Sequence, residues 1–326
     1  MRILLVGEAA EHEADLHVHL DASHDVVALP VEAATTAAHD DAIGPDDVVV
    51  SLRFRRDGQA PPFRLLHVPG AGLDGVDLDA LHPATAVCNV FEHEIPIAEF
   101  VLARLLEWHI RAAANPLRPG DWAGQYRRRV PHGELHGSTV GIVGFGRIGR
   151  AVAARAEAFG VRVVAVDPLA TDRAVRLPAE LPRVAAECDA LVVTCPLTPE
   201  TTGLVDAAVL AALPAHAVVV NVSRAAVVDQ DALYEALRHN VIGGAILDVW
   251  YRYPAPGDDT PPPADHPFWA LPNVWCTPHT SAWTRPLSAR RYAVVAENVN
   301  RLVAGRPLIN PVRDGAERAG SRRSAG

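Results

Sequence analysis

The hexapeptide Gly144-Phe145-Gly146-Arg147-Ile148-Gly149 joins two contrasting kinds of sequence. Before it runs Thr139 to Val143, apolar and β-branched, which predicts a strand. After it, Arg147 to Phe159 carries helical spacing. A lone GxGxxG is common, but one that closes a strand and opens a helix is the turn that holds a dinucleotide. Gly144 permits the tight turn, Gly146 lets the backbone approach a pyrophosphate, and Gly149 lets helix and strand pack closely. Arg147 and Ile148 start the helix, whose free N–H groups and partial positive charge favour phosphate. The next apolar run, Val161 to Val166, ends at Asp167, 18 residues after Gly149. An acid there accepts hydrogen bonds from ribose hydroxyls and repels a 2′-phosphate, so the expected cofactor is NAD.

Working outward, further strands are expected at Ala190 to Cys195, Ala217 to Val222, Ala245 to Val249 and Val274 to Thr277. Pro254 to Pro267 is dense in Pro and Asp and is a loop. A helix is expected from Pro286 to Ala304, and a disordered tail over 313–326. On the N-terminal side, Ile3 to Val6, Val26 to Leu29, Val48 to Leu52 and Leu65 to Val68 are strand candidates separated by helical stretches, the pattern of α/β with a parallel sheet. A long helix follows over Pro96 to Ala114. The polar connector Asn115 to Gly137 contains Arg127-Arg128-Arg129, read as a solvated loop.

The chain has 326 residues, 49% hydrophobic and 21% charged, enough for two cores and too apolar for wholesale disorder. A net charge of -9 argues against nucleic acid or an anionic membrane surface as partner. Cys88, Cys188, Cys195 and Cys276 stand far apart in apolar settings, as reduced core thiols rather than disulfides or metal ligands. The run after Met1 is too short for a signal peptide, and no apolar stretch suits a membrane span. A cytoplasmic protein is expected, with no metal.

Several ordered motifs together resemble the D-isomer-specific 2-hydroxyacid dehydrogenases, a family that includes phosphoglycerate, phosphite and formate dehydrogenases. These are Gly70-Ala71-Gly72-Leu73-Asp74, the fingerprint, Pro196-Leu197-Thr198-Pro199-Glu200-Thr201, Asn221-Val222-Ser223-Arg224, Asp248-Val249 and Thr277-Pro278-His279. The resemblance implies two Rossmann-like domains with parallel sheets. The NAD-binding domain, 104–282, would be inserted into a discontinuous substrate domain, 1–103 and 283–312. It implies a homodimer through the helix around Ile97 to Ile110 and an active site in the cleft between domains.

By the same resemblance Arg224 anchors the substrate's anion, a role that suits a planar bidentate donor. The amides of Ala71, Gly72 and Leu73 add to that anion site. His279 is the acid/base. Asp248 contacts the nicotinamide carboxamide, and Thr194, Cys195, Pro196 and Thr201 flank the cofactor.

Two departures stand out. Family members commonly carry a glutamate that hydrogen-bonds the catalytic histidine. Here Tyr253, just before Pro254, occupies its place. A neutral phenol stabilises an imidazolium less than a carboxylate does. Three arrangements stay open: Tyr253 bonds His279 and leaves it a lower pKa; Asp258, Asp259 or Asp265 substitutes; or the reaction needs no coupled proton relay. The second departure is basic. Arg53, Arg55 and Arg56 follow the third strand, and Arg252 and Arg285 flank the later motifs. They are either solvated loop residues or recognise a more highly charged substrate such as a phosphonate. Trp250, Trp269 and Trp283 line the cleft or belong to a core. The expected activity is hydride transfer between NAD and a small anionic 2-hydroxy acid or phosphonate analogue. The alternatives are oxidation of a small anion of the formate or phosphite kind, and a non-catalytic NAD(H) sensor.

Overall fold

The structure is a computed structural model and describes residues 1–111, 116–169, 175–254 and 261–315. The chain divides into two compact units, Met1–His93 with the C-terminal segment from Thr284, and Glu94–Trp283. The first unit opens with β1 (Arg2–Val6), α1 (Glu13–His17), β2 (Asp25–Leu29), α2 (Glu32–Thr35), β3 (Val48–Val50), β4 (Leu65–His67) and β5 (Ala86–Cys88). The second holds α3 (Glu94–Ile110), α4 (Trp122–Arg127), β6 (Thr139–Val143), α5 (Arg147–Glu157), β7 (Arg162–Val166), β8 (Val175–Arg176), α6 (Leu181–Ala185), β9 (Ala190–Val193), α7 (Ala207–Ala212), β10 (Val218–Asn221), α8 (Gln230–Arg238), β11 (Gly244–Leu247) and β12 (Val274–Cys276). The chain re-enters the first unit with α9 (Arg285–Val303) and β13 (Pro311–Arg313).

The first unit has a six-stranded sheet of order β13-β5-β4-β3-β1-β2, parallel except for β13 against β5. Alternate side chains feed opposite layers. Ile3, Leu5, Val48, Val50 and Leu65 pack with Tyr292, Val295, Ala296 and Val299 of α9. Leu4, Val6, Val49, Leu66 and Val87 pack with Ala33, Ala34, Phe54 and Phe63 on the other face. Each such leucine contributes roughly 1.5–3 kcal/mol by leaving water. The helical stretches expected between these strands are short. After β3 none forms, because Gly58, Pro61 and Pro62 cannot sustain one, and Phe54 pairs with Val76 instead.

The second unit's sheet has seven parallel strands in the order β12-β11-β10-β9-β6-β7-β8. Its central strands β6, β9, β10 and β11 are buried throughout, as a sheet covered on both faces requires. Val140, Ile142, Val192, Val220 and Ile246 face α3 and α5, through Val101, Leu105, Val152 and Ala156. Val143, Val193, Val219 and Leu247 face residues of α6, α7 and α8, including Val184, Leu210 and Leu237.

Three expectations change. The division falls at His93/Glu94, ten residues before 103/104, because α3 packs as a whole against α5. That helix ends at Ile110, with Arg111 at φ 48°, and residues 112–115 lie outside the described residues. The disordered tail expected over 313–326 does not hold at its first residue. Arg313 pairs in β13, and its guanidinium donates to the carbonyls of Leu78, His82 and Thr85 at 2.9, 3.1 and 2.9 Å. Residues 316–326 lie outside the described residues. All four cysteines are free thiols, with Cys88, Cys188 and Cys195 buried.

Candidate active site

Register places the chemistry of the second unit. Val166, Val143, Val193, Asn221, Leu247 and Cys276 are successive partners across six strands. The next residue of each strand is Asp167, Gly144, Thr194, Val222, Asp248 and Thr277. The carboxyl edge of one parallel sheet therefore gathers the fingerprint, the acid at the end of β7, and the turns that carry Arg224 and His279. The strand order reverses between β6 and β9, the switch point where open α/β sheets take ligands.

Glycine is required at two positions of the fingerprint. Gly144 has φ +94°, and a Cβ there would lie 2.6 Å from the Cys195 backbone. A Cβ on Gly149 would collide with the Gly144 carbonyl oxygen. Gly146 differs: a Cβ there meets no atom within 4 Å. It is the N-cap of α5 and makes no side-chain cap hydrogen bond. The open space before an uncapped helix start fits a pyrophosphate. Arg147 is exposed beside it, 3.8 Å from Glu94 Oε1, while Ile148 packs against the core. Asp167 accepts from the Phe145 amide (2.7 Å) and the Leu169 amide (2.8 Å), one at each oxygen. Each oxygen keeps a lone pair for a ribose hydroxyl. The residues present thus fit a dinucleotide.

On the other side of the switch point, Thr194 Oγ1 donates to the Gly144 carbonyl at 2.6 Å. The Cys195 thiol is buried, its pKa pushed up to about 11 chiefly by desolvation. Pro196 is exposed. Thr201 is turned inward on its own loop: its hydroxyl accepts from the Thr198 amide and donates to the Pro196 carbonyl, both at 2.7 Å. It shapes the loop rather than offering a free hydroxyl.

Arg224 follows β10. Asn221 builds its turn, donating from Nδ2 to the Arg224 carbonyl (3.0 Å) and accepting from the Ser223 amide (3.1 Å). The Arg224 guanidinium donates to the Ser223 carbonyl at 2.9 Å. His279 sits three residues beyond β12 in the left-handed region, at φ 57°. Its Nδ1 lies 2.9 Å from the Tyr253 hydroxyl, whose oxygen also accepts from the Trp250 amide at 3.1 Å. The first of the three open arrangements is the one formed. Asp265 is occupied elsewhere, accepting from Arg252 (2.7 Å) and Gln230 (2.8 Å), and Asp258 and Asp259 lie outside the described residues. Partial desolvation lowers the His279 pKa; nearby Arg224 adds to this and Asp248 opposes it. Burial raises that of Tyr253.

Asp248 directly follows β11. It is 0% exposed, and its carboxylate accepts from Thr277 Oγ1 (2.5 Å), the Thr280 amide (2.8 Å) and the Ser281 amide (3.0 Å). Local sequence does not show this clamp, because its donors lie 29 to 33 residues further on. Trp250 joins the same support, donating from Nε1 to the Thr277 carbonyl at 2.9 Å. Trp269 and Trp283 are exposed.

In the first unit, the Ala71–Leu73 loop follows β4 and is held by Asn89, which donates to the Ala71 carbonyl at 2.9 Å. Among the described residues the amides of Ala71, Gly72 and Leu73 donate to no protein acceptor. Arg53 and Arg285 are exposed; Arg55 is exposed and donates weakly to the Asp74 carbonyl at 3.4 Å. Two other arginines of the basic group have carboxylate partners. Arg56 is buried in a bidentate pair with Asp40 (2.6 and 2.8 Å), and Arg252 is tied to Asp265. The Arg56 guanidinium is not available to a substrate.

Residues 100–281, more than half of the chain, match the model of the D-isomer specific 2-hydroxyacid dehydrogenase NAD binding domain. The chain is 39% identical over 257 residues to D-3-phosphoglycerate dehydrogenase of Mycobacterium leprae, covering 76% of this chain and 46% of that one. It is 32% identical over 266 residues to glycerate dehydrogenase of Methylorubrum extorquens, covering 79% and 82%. Among solved structures, an NADPH-dependent glyoxylate/hydroxypyruvate reductase of Sinorhizobium meliloti superposes with TM-score 0.73 at 26% identity, covering 96% and 98%. The chain belongs to the D-isomer specific 2-hydroxyacid dehydrogenase family, and its second unit is that family's NAD-binding domain. It spans about half the length of the phosphoglycerate dehydrogenases it matches. Among the described residues no helix is long and apolar enough to cross a membrane, and no group of His, Cys, Asp and Glu is arranged to hold a metal ion.

Proposed function

We propose that this chain is an NAD-dependent dehydrogenase that interconverts a small anionic 2-hydroxy acid, or a phosphonate analogue, and its 2-oxo form. The observation that carries the reading is the imidazole of His279, pinned through Nδ1 by Tyr253 on the sheet edge that also bears the dinucleotide turn. With Nδ1 engaged, Nε2 is the atom left to exchange a proton with the substrate hydroxyl. Arg224 is the anion anchor of the second unit. In the first unit the Ala71–Leu73 amides and Arg53 are anion donors. Bound NAD supplies the hydride acceptor; the protein's part is orientation, charge and the proton. The reductase and dehydrogenase names of the relatives support this class of substrate.

The lowered His279 pKa supports a base that is already neutral at pH 7. The reading includes a cytoplasmic homodimer paired through α3, which light scattering checks. The activity test follows absorbance of the reduced nicotinamide with 2-oxo acids, D- and L-hydroxy acids, formate, phosphite and hydroxyphosphonates. Turnover that disappears in His279→Ala and Arg224→Ala supports the assignment. Tight NADH binding without turnover on any of these anions sinks it and favours a sensor.

A further inference from the structure

The loop amides assigned to the substrate's anion do not aim themselves. A peptide unit is planar and trans, so tying down a carbonyl turns the amide that follows it to the opposite side. Ala71 and Gly72 are each aimed by such a tie within the first unit. The Gly70 carbonyl accepts from the Val90 amide at 3.1 Å, which directs the Ala71 N–H. The Ala71 carbonyl accepts from Asn89 Nδ2 at 2.9 Å, which directs the Gly72 N–H. The first tie extends the pairing of β4 with β5, where Val68 also donates to the Cys88 carbonyl at 2.8 Å. The second depends on one side chain. Gly72 is exposed and has no Cβ, so without that tie its peptide is free to rotate.

Asn89 is itself seated from far along the chain. Its amide donates to the Asn310 carbonyl at 3.3 Å, and its carbonyl accepts from Asn310 Nδ2 at 3.4 Å. Asn310 stands in the left-handed region at φ 51°, and the next residue, Pro311, pairs with Cys88. Asn298 on α9 fixes this turn. Its Oδ1 accepts from the Ile309 amide at 2.7 Å, and its Nδ2 donates to the Ile309 carbonyl at 3.0 Å and to His67 Nε2 at 2.8 Å. We propose that Asn89 is a positioning residue that turns the Gly72 amide toward the substrate's anion, and that the Asn310 turn holds Asn89 for this task. This rests on the reading of the Ala71–Leu73 loop as anion donors and brings the C-terminal segment into the binding machinery.

The test compares Asn89→Ala, Asn310→Val and Asn310→Gly in the full chain. A β-branched residue resists the left-handed region that glycine accepts, so the two Asn310 variants separate the turn from its side chain. Gly72 amide mobility is read by NMR relaxation, anion binding by titrating inorganic phosphate, KM and kcat by absorbance, and NADH affinity by fluorescence. Asn89→Ala and Asn310→Val are expected to loosen the Gly72 amide and to raise KM and the phosphate half-saturation about tenfold, with kcat and NADH affinity within about twofold. Asn310→Gly should stay within about twofold of the parent chain in every readout. Three results overturn the proposal: Gly72 mobility and KM unchanged in folded Asn89→Ala, a loss confined to melting temperature, or kcat and NADH affinity falling in step with anion binding. Should Asn89→Ala fail to fold, the Asn310 pair decides alone. A parent chain with neither phosphate response at Gly72 nor turnover would sink the loop's anion role and this proposal with it. Turnover with KM indifferent to Asn89 would sink this proposal alone.

Discussion

The Tyr253 hydroxyl stands 2.9 Å from His279 Nδ1, where relatives of this family are expected to place a carboxylate. A phenol orients the imidazole without adding the negative charge that holds a proton on it. Desolvation and the Arg224 charge both push the His279 pKa down, leaving only Asp248 to oppose them.

From this follows a pH dependence. A base with a lowered pKa stays neutral to lower pH, so oxidation of a hydroxy acid should persist below the ordinary histidine range. Reduction, which needs the imidazolium, should fade early as pH rises. Tyr253→Glu should move both limbs to higher pH by about one unit. Tyr253→Phe should lower kcat roughly tenfold without restoring charge. Profiles of kcat between pH 5 and 9 check this; an unmoved profile in Tyr253→Glu would remove the explanation.

The fingerprint glycines should separate folding from binding. Gly144→Ala meets the Cys195 backbone at positive φ and should cost a few kcal/mol of stability. Gly146→Ala meets nothing in the protein and should leave the melting temperature within a few degrees, yet weaken NADH at least tenfold. Thermal melts with fluorescence titration test the pair, and equal melting losses would contradict it.

Arg53 and Arg56 should behave as opposites despite their proximity in sequence. Removing Arg56 leaves Asp40 without its bidentate partner and should destabilise by about 3 kcal/mol. Arg53→Ala should leave stability within about 0.5 kcal/mol and raise KM for the anionic substrate. Urea unfolding and steady-state kinetics measure the two effects.

His67 makes the first unit sensitive to acid. It is fully buried, accepts from Asn298 Nδ2 at 2.8 Å, and burial lowers its pKa to about 4. Between that value and the ordinary one the unfolded chain binds the extra proton. Stability is therefore complete above the unfolded pKa and lost as pH falls through this window, by roughly 3 kcal/mol. His67→Gln should flatten the dependence; urea midpoints at pH 7 and pH 4.5 would show it.

The second unit was readable in sequence because its evidence is local. Strand, glycine turn, helix and terminal acid follow within thirty residues, and the strand cores are continuous apolar runs. Tyr253 was legible because it stands in a recognisable place, next to Pro254. What escaped depends on partners far along the chain. Asp248 meets its donors only once β11 and β12 are paired. Arg56 in a basic cluster cannot be told from Arg53 until Asp40 is brought over it. The polar sequence around Arg313 suggested disorder, and only the carbonyls waiting near β5 make it an ordered strand.

The first unit draws on both ends of the chain, whereas the second is one unbroken segment. Ile3, Leu5 and Leu65 find their cover in Tyr292, Val295 and Val299, residues made more than two hundred positions later. During synthesis the N-terminal strands leave the ribosome with one face bare and must wait while the whole inserted segment is translated. The first unit is thus born unfinished, and its need for protection from aggregation is greatest before α9 emerges.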